Sequence, residues 1–489
     1  MNYNRKMNAL TIIWIALPLF IGFNIYLLPS ICRYLALGVA IISLGYSLTI
    51  FSLSLPLDLQ LLDNFGVILL IDNLSGFFIL TNALVTLGVI LYCWHSDKTN
   101  FFYTQVIILH GSVNAAFICA DFISLYVALE VISIAAFLLI TYPRSDRSIW
   151  VGLRYLFVSN VAMLFYLVGT VLVYKAHHSF GFEGLRGSPP EAVALIFLGL
   201  LAKGGIFVSG LWLPLTHSES DSPVSAMLSG VVVKAAIYPL VRCTLMVPEV
   251  DPIIRIFGVG TALLGVSYAI FEQDTKRMLA FSTVSQLGFI LAAPEVGGFY
   301  ALTHGLVKSS LFLMAGILPS RNLKVLQDQP MKTAIWIPLV MASFSISGFP
   351  LLSGFGAKVL TMKNLLPWQV IGMNIAALGT ATTFAKFIFL PHEKSGGSKA
   401  KSGFFPAIGL LLGGLLIANG VYYQAYTFVN IIKPLITIFL GWFTYILIVQ
   451  RMVIKLPRIA EQFEHLIGGM SLMLIFLFWV ILGNQTSIS

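Results

Sequence analysis

The sequence predicts an all-α polytopic membrane protein with about 14–16 transmembrane helices. Three observations indicate this fold class. Of the 489 residues, 58% are hydrophobic and only 10% are charged, whereas soluble domains carry about 25% charged residues. Apolar runs close to the length that spans a bilayer recur along the whole chain, as at 9–29 and 403–423. Because these runs are continuous, they favour helices over the short alternating segments of a membrane barrel.

The first apolar run is expected to remain in the protein as a span. It has no small-residue cleavage site, and a second apolar run follows almost at once, so it does not resemble a signal peptide. The four cysteines are scattered through apolar runs, without the spacing of a disulfide framework, a zinc site or an iron–sulfur site. We therefore expect no cofactor and no metal. The net charge of +9 is expected to orient loops across a membrane, and no nucleic-acid partner is expected.

The chain is predicted to form one membrane domain, because no polar stretch is long enough to link two soluble domains. Within this domain we expect four parts. N-terminal helices occupy 1–100, a first half-channel 101–247, a second half-channel 248–390, and C-terminal helices 391–489.

Helix breakers interrupt two of the apolar runs. Glycine and proline cluster beside a lysine over 203–214 and again over 347–358. Interrupted helices in corresponding halves of a chain are the best sequence indication of the ion pathway in an inverted-repeat transporter. The two clusters therefore predict two inverted repeats, each containing a broken helix.

Six charged side chains lie in otherwise apolar runs. At about 2.5–3.5 kcal/mol each, six unpaired charges near the bilayer centre would cost on the order of 15–20 kcal/mol, which exceeds the net stability of a domain. They must pair, face the bundle interior or be hydrated. A desolvated lysine that gains and loses a carboxylate neighbour can load and release a proton. The six are Glu130, Lys203, Lys234, Lys308, Lys358 and Lys386.

Most of these candidates also have a purely structural interpretation. Glu130 could belong to a structural ion pair, and Lys203 and Lys386 could extend their ammonium groups to the membrane surface. Lys358 could lie at the interface. His304, which is four residues before Lys308 and on the same helical face, could be a core histidine with satisfied hydrogen bonds.

At these residues the sequence resembles the antiporter-like subunits shared by respiratory complex I, membrane-bound hydrogenases and Mrp-type cation/proton antiporters. The resemblance covers about residues 70–390. Its most specific stretch runs from Lys203 to Arg242. The matching segments are Asp72–Phe78, Leu129–Ser133, Trp212–Pro214, His217, Ser222–Ala226, Lys234, Asp274–Gly288, and His304 with Lys308.

For the first half-channel, the resemblance implies that Glu130 and Lys203 form a modulating pair and that Lys234 continues a central hydrophilic axis. Arg154 stands where the family commonly has lysine, and its role is left open. His217 belongs to the same motif and is a weaker candidate for the pathway.

For the second half-channel, the resemblance implies that Lys308, together with His304, links the two halves and that Lys358 is the exit-side residue. Lys386 is a further candidate. The sequence departs from the family near 207–209, where a usual histidine is absent. Apparent spans at 431–449 and 466–482 exceed the usual number of helices, and we expect them to form a partner-binding addition.

The resemblance implies a proton-translocating subunit, and the sequence favours a multisubunit Mrp-type antiporter that exchanges Na⁺ for protons. A subunit of a complex I-like NAD(P)H or ferredoxin:quinone oxidoreductase, or of a membrane hydrogenase, is the first alternative. A stand-alone secondary transporter is the second.

No redox or hydrolytic site is expected in this chain. We expect other membrane subunits as partners, with protons and Na⁺ as the transported ions. The expected location is the plasma membrane of a prokaryote or another energy-coupling membrane, including the thylakoid.

Overall fold

The computed structural model describes residues 2–52, 56–62, 66–394, 402–452, 454 and 456–486, and most of these residues are helical. The N-terminal part contains three long helices and a β-hairpin. They are α1 (Asn2–Leu27), α2 (Cys32–Ile50), β1 (Leu57–Leu62), β2 (Gly66–Ile71) and α3 (Asn73–Tyr92). The two strands pair antiparallel.

The next part contains the first predicted half-channel. Its helices are α4 (Asn100–Ala116), α5 (Phe122–Ile140), α6 (Asp146–His177), α7 (Pro190–Gly204), α8 (Leu213–Glu219), α9 (Ser222–Met227) and α10 (Lys234–Met246).

The part that follows contains the second predicted half-channel. Its elements are α11 (Asp251–Phe271), α12 (Thr275–Ala292), α13 (Gly297–Ala315), α14 (Leu323–Asp328), β3 (Met331–Lys332), α15 (Thr333–Ser347), α16 (Ser353–Lys363), α17 (Val370–Ile388) and β4 (His392–Glu393). The chain ends with α18 (Phe404–Val421), α19 (Phe428–Leu447) and α20 (Phe463–Thr486). The last two confirm the two predicted C-terminal spans.

The all-α polytopic class is confirmed. Within the described ranges, 12 helical segments are long and apolar enough to cross a membrane, or 13 if the bent pair α12 and α13 counts as one span. α4, with 17 residues, and α15, with 15 residues, are too short to be included among these segments. The count is therefore lower than the about 14–16 predicted spans. The two helices of the bent pair meet at 105°, a bend that the sequence analysis did not predict.

Both predicted helix interruptions are present. The interruptions lie between α7 and α8 and between α15 and α16. The helix before each interruption ends at a glycine with left-handed backbone geometry, Gly205 (φ 73°) after α7 and Gly348 (φ 86°) after α15. Only glycine adopts this conformation without a steric cost, so the sequence itself determines where these helices stop. A 3₁₀ turn at 207–212 leads into α8, and 349–352 leads into α16.

Helix starts follow from capping side chains. The carboxylates of Asp72, Asp121 and Asp274 accept hydrogen bonds of 2.7–3.1 Å from backbone N–H groups three residues later, which satisfies donors at the beginnings of α3, α5 and α12. The bundle is built around α13, which contacts α3, α9, α12, α15, α16 and α18. His304 and Lys308 lie in this central helix, and Lys358 lies in α16, which contacts it. Glu130 on α5 and Lys203 on α7 lie farther from it.

Candidate functional site

Glu130 on α5 and Lys203 on α7 are brought into the same region, but the hydrogen-bond partners of Lys203 are serines. The ammonium of Lys203 donates hydrogen bonds to the hydroxyls of Ser133 and Ser159. Ser133 lies three residues after Glu130 and therefore on the same face of α5. One carboxylate oxygen of Glu130, Oε1, is buried without a hydrogen-bond partner among the described residues. The hydroxyl of Ser133 that binds Lys203 therefore belongs to the face of α5 that carries Glu130.

Lys234 is held by backbone carbonyl groups. It begins α10 immediately after a π-helical turn at 228–232, and its ammonium donates to the carbonyl oxygens of Ser229 at 3.0 Å and Gly230 at 2.7 Å. A π-helical turn changes the hydrogen-bond register of the helix, and such turns are frequent at functional sites. Lys234 is fully buried, so these carbonyl groups replace the water that would otherwise solvate its amine.

Lys308 and His304 lie one turn apart on the central helix α13. Lys308 donates a 2.9 Å hydrogen bond to the carbonyl oxygen of Leu279 on α12. His304 is buried, and neither of its ring nitrogens has a partner among the described residues. The ammonium of Lys234 also lies close to α13. A methyl group added at Gly305 of this helix would be 3.7 Å from the Lys234 ammonium. The end of Lys234 is therefore next to the residue that follows His304.

Lys358 on α16 is buried, and its ammonium has no hydrogen-bond partner among the described residues. It lies 5.4 Å from the ring centroid of Phe289. On one side it faces a cavity of about 10 Å³ that His304 and Ser345 also line, which is close to the volume that one water molecule requires. On the other side it lines a cavity of about 430 Å³ between α16, α17 and α19. Lys358 thus stands between the buried core and a larger opening.

Hydroxyl and amide groups lie between these amines, and the sequence analysis did not assign them to the site. Gln286 accepts a 2.7 Å hydrogen bond from Tyr300 and donates one of 3.2 Å to Thr380. The hydroxyls of Ser229 and Thr283 are 2.7 Å apart. The run of polar side chains in the apolar α12 was the available sequence signal, since such groups need partners inside a membrane.

Lys386 is buried between the ends of α11 and α17. It is only 3% exposed, and its ammonium donates to the carbonyl oxygens of Ala269 at 3.1 Å and Glu272 at 2.8 Å. These carbonyl groups lie at the end of α11, where the helix dipole favours a cation. The amine is therefore enclosed by the protein, against the end of α11.

His217 and Arg154 lie outside the row of amines described above. The ring of His217 stacks on Phe312 with 4.6 Å between centroids, and its nitrogens have no partner among the described residues. Arg154 donates to the backbone carbonyl oxygen of Glu461. Arg154 therefore connects α6 to the segment that precedes α20.

Two buried ion pairs were not predicted. Arg242 binds Asp72 through two hydrogen bonds of 2.5 and 2.7 Å. Burial alone would raise the pKa of Asp72, but the hydrogen bonds and charge of Arg242 lower it below its ordinary value. Arg277 binds the carboxylate of Glu461 at 2.5 Å. Arg242 in an apolar run was a visible signal for the first pair, whereas Arg277 follows a polar stretch at 272–276. The distant partner was not visible in either case.

The arrangement is suited to holding and passing protons. Each amine can bind or release one proton, and hydroxyl or carbonyl oxygens contact Lys203, Lys234 and Lys308. Water molecules between such groups can carry protons across gaps that are too long for a direct hydrogen bond.

Comparisons with known proteins identify a matching family and similar chains. Residues 119–384 match the family described as NADH:quinone oxidoreductase/Mrp antiporter, TM. The chain is 25% identical over 423 residues to a subunit of the Na(+)/H(+) antiporter of Alkalihalophilus pseudofirmus, covering 78% of this chain and 85% of that protein. It is 31% identical over 363 residues to the NADH-quinone oxidoreductase subunit N of Desulforudis audaxviator, covering 66% of this chain and 72% of that protein.

The fold is also similar to that of a chain in the membrane-bound sulfane sulfur reductase, an archaeal respiratory membrane complex. The TM-score is 0.76 at 21% identity, and the alignment covers 89% of this chain and 99% of that chain.

Proposed function

Because the chain belongs to the NADH:quinone oxidoreductase/Mrp antiporter transmembrane family, we propose that it is a proton-translocating subunit of a multisubunit Mrp-type antiporter that exchanges Na⁺ for protons. The observation that supports this proposal is the series of buried amines along the bundle. Lys203, Lys234, Lys308 and Lys358 are each at most 7% exposed. Retaining four such groups in a membrane interior is costly unless they are used.

In this proposal, Glu130 and Lys203 load the first half-channel. When the carboxylate approaches Lys203, its charge stabilises the ammonium form; when it withdraws, the amine releases its proton. Ser133 and Ser159 hold the ammonium in the present arrangement. A small change in α5, driven by a neighbouring subunit, would exchange the serine contact for the carboxylate.

The proton then passes along the central axis. Lys234 receives it and transfers it, through His304 and Lys308 on α13, toward Lys358. The cavity of about 10 Å³ between His304 and Lys358 has room for about one bridging water molecule. We retain the division into half-channels over 101–247 and 248–390 as part of this proposal. Lys386, Arg154 and His217 have supporting roles in it.

A second candidate function has its own support. The 31% identity to an NADH-quinone oxidoreductase subunit N favours a membrane subunit of a redox-driven complex, in which the same amines would move protons while other subunits transfer electrons. Both functions require further membrane subunits and an energy-coupling membrane. We propose that α19 and α20 contact such a subunit, because these two spans exceed the usual number of helices in the family.

The test is to express the chain with its genomic neighbours in everted membrane vesicles and to measure collapse of a preset proton gradient. On addition of Na⁺, wild type should dissipate the gradient, and Glu130→Ala and Lys203→Ala should abolish this response. Matched controls are Glu191→Ala and Lys175→Ala, which change exposed residues on α7 and α6. If Na⁺ has no effect and NADH or another electron donor energises the vesicles, the redox-driven function replaces the antiporter. Normal transport in both pair variants would contradict the proton pathway.

A further inference from the structure

The cavity of about 430 Å³ beside Lys358 has its mouth where helices end. Its polar lining comes from the last turn of α16 and from the beginnings of α17 and α19, through Lys363, Asn374, Asn430 and Lys433. Helix ends of a membrane bundle lie near the level of the lipid headgroups. The inner end of the cavity reaches Lys358 and Ser347, next to the second helix break.

The charge of this cavity is entirely positive. Three lysines line it, and no carboxylate does so among the residues that the structure describes. Lys363 and Lys433 are exposed at the mouth, while Lys358 is 6% exposed and its ammonium has no hydrogen-bond partner in the described part of the chain. Three like charges without a counterion repel one another, and an anion inside the cavity would remove that repulsion.

The remaining wall of the cavity is apolar and includes Val359, Met362, Leu365, Val370 and Ile436. The volume far exceeds the about 30 Å³ that one water molecule occupies in the liquid, so a simple ion would leave most of it unfilled. A basic pocket between transmembrane helices, with apolar side chains next to the charges, matches the headgroup and the first acyl carbons of an anionic phospholipid.

We propose that this cavity binds a phosphate group, supplied by an anionic phospholipid or by free phosphate. Lys363 and Lys433 bind the phosphate at the mouth. The side-chain amides of Asn374 and Asn430 each donate one N–H to a backbone carbonyl oxygen, which leaves a second N–H for the phosphate. The apolar wall favours the lipid as the source. Occupancy also places a negative charge on the open side of Lys358. The site does not depend on whether Na⁺ exchange or a redox reaction drives the subunit, and its test requires no transport activity.

The experiment uses the full-length chain, purified in detergent and depleted of lipid. Native mass spectrometry follows the binding of phosphatidylglycerol and of a diacylglycerol with the same acyl chains but no phosphate. Thermal unfolding with and without inorganic phosphate tests the free anion. The variants are Lys363→Gln with Lys433→Gln, and the control is Lys324→Gln with Lys394→Gln, which removes the same charge from exposed positions outside the cavity.

We expect one phosphatidylglycerol to bind to wild type and to the control, and diacylglycerol to bind far more weakly. Each lysine removed should weaken lipid binding about fivefold, which gives about 25-fold for the double variant. Stabilisation by inorganic phosphate that the double variant loses would support the site with the free anion as its source. Equal binding of the two lipids, or an unchanged response in the double variant, would overturn the proposal. The same applies if neither phosphatidylglycerol nor phosphate binds, as expected if a partner subunit's carboxylate fills the cavity instead.

Discussion

The first helix break, between α7 and α8, and the second, between α15 and α16, share a backbone design. Each begins at a left-handed glycine, Gly205 or Gly348. Each also contains a second glycine in close backbone contact. A methyl group at Gly210 would lie 2.3 Å from the carbonyl oxygen of Gly205, and one at Gly354 would lie 1.8 Å from that of Ser345. At both breaks, therefore, a glycine packs against a backbone carbonyl oxygen at a distance that leaves no room for a side chain.

The breaks differ in the surroundings of their lysine. Lys203 precedes the first break and donates to two serine hydroxyls near a carboxylate. Lys358 follows the second break, has no hydrogen-bond partner among the described residues and lines two cavities. Under the proposed function, one backbone design thus supports two tasks: a modulated pair at the first break and an outlet at the second.

The largest effect is expected where the shared backbone design is disrupted. Gly210→Ala and Gly354→Ala should each lower the free energy of unfolding by about 3 kcal/mol or more, because a backbone carbonyl cannot move away as a side chain can. Thermal unfolding in detergent, followed by loss of the monodisperse peak in size-exclusion chromatography, measures this. The control is Gly409→Ala in α18, where no described atom lies within 4 Å of the added methyl group. If only one of the two glycines is sensitive, the breaks are not built alike.

A smaller effect should separate the two lysines. Lys358→Met replaces a buried amine that has no hydrogen-bond partner among the described residues, so it should stabilise the fold. Lys203→Met also removes two hydrogen bonds. The free energy of unfolding should therefore be about 1–3 kcal/mol higher for Lys358→Met than for Lys203→Met. Both variants should lose proton transport. Unfolding by urea or heat in the same detergent gives the difference in stability. Equal changes in the two variants would mean that the lysines have equivalent surroundings in the folded protein.

Both helix breaks could be predicted from the sequence, because the residues that cause them are close together in the chain. Glycine and proline beside a lysine in an apolar run indicate a break because they act on the backbone of their own helix. The bend of 105° between α12 and α13 has Pro294, Gly297 and Gly298 as local signals, but no lysine stands beside them, and the bend was not predicted. The family resemblance implies that Glu130 and Lys203 form a modulating pair, which stays a prediction. The hydrogen bonds that Lys203 donates to two serines had no such signal.

The serine partners could not be predicted because serine occurs on many helices and only packing decides which hydroxyl meets which amine. Ser159 comes from a different helix, 44 residues before Lys203. The pair of Arg277 and Glu461 is separated by 184 residues, beyond any periodic pattern. The sequence thus indicated which residues carry the charge, while the groups that solvate them depend on tertiary structure.

The smallest expected effect tests this solvation directly. Ser133→Ala removes a hydrogen bond from the ammonium of Lys203, and a bond to a charged group contributes about 1.5 kcal/mol, so proton transport should fall roughly tenfold. Ser345→Ala is the matched change at the second break. The hydroxyl of Ser345 lines the small cavity beside Lys358 but has no hydrogen-bond partner among the described residues. Its removal should change transport by less than about twofold.

Initial rates of proton uptake into vesicles, normalised to the amount of each variant, give both values. Equal losses in the two variants would show that hydroxyl groups matter alike at both breaks, and the contrast between a solvated and an unsolvated lysine would then have no functional meaning. A loss at Ser133 alone would instead support direct solvation of Lys203 as part of the proton-loading step.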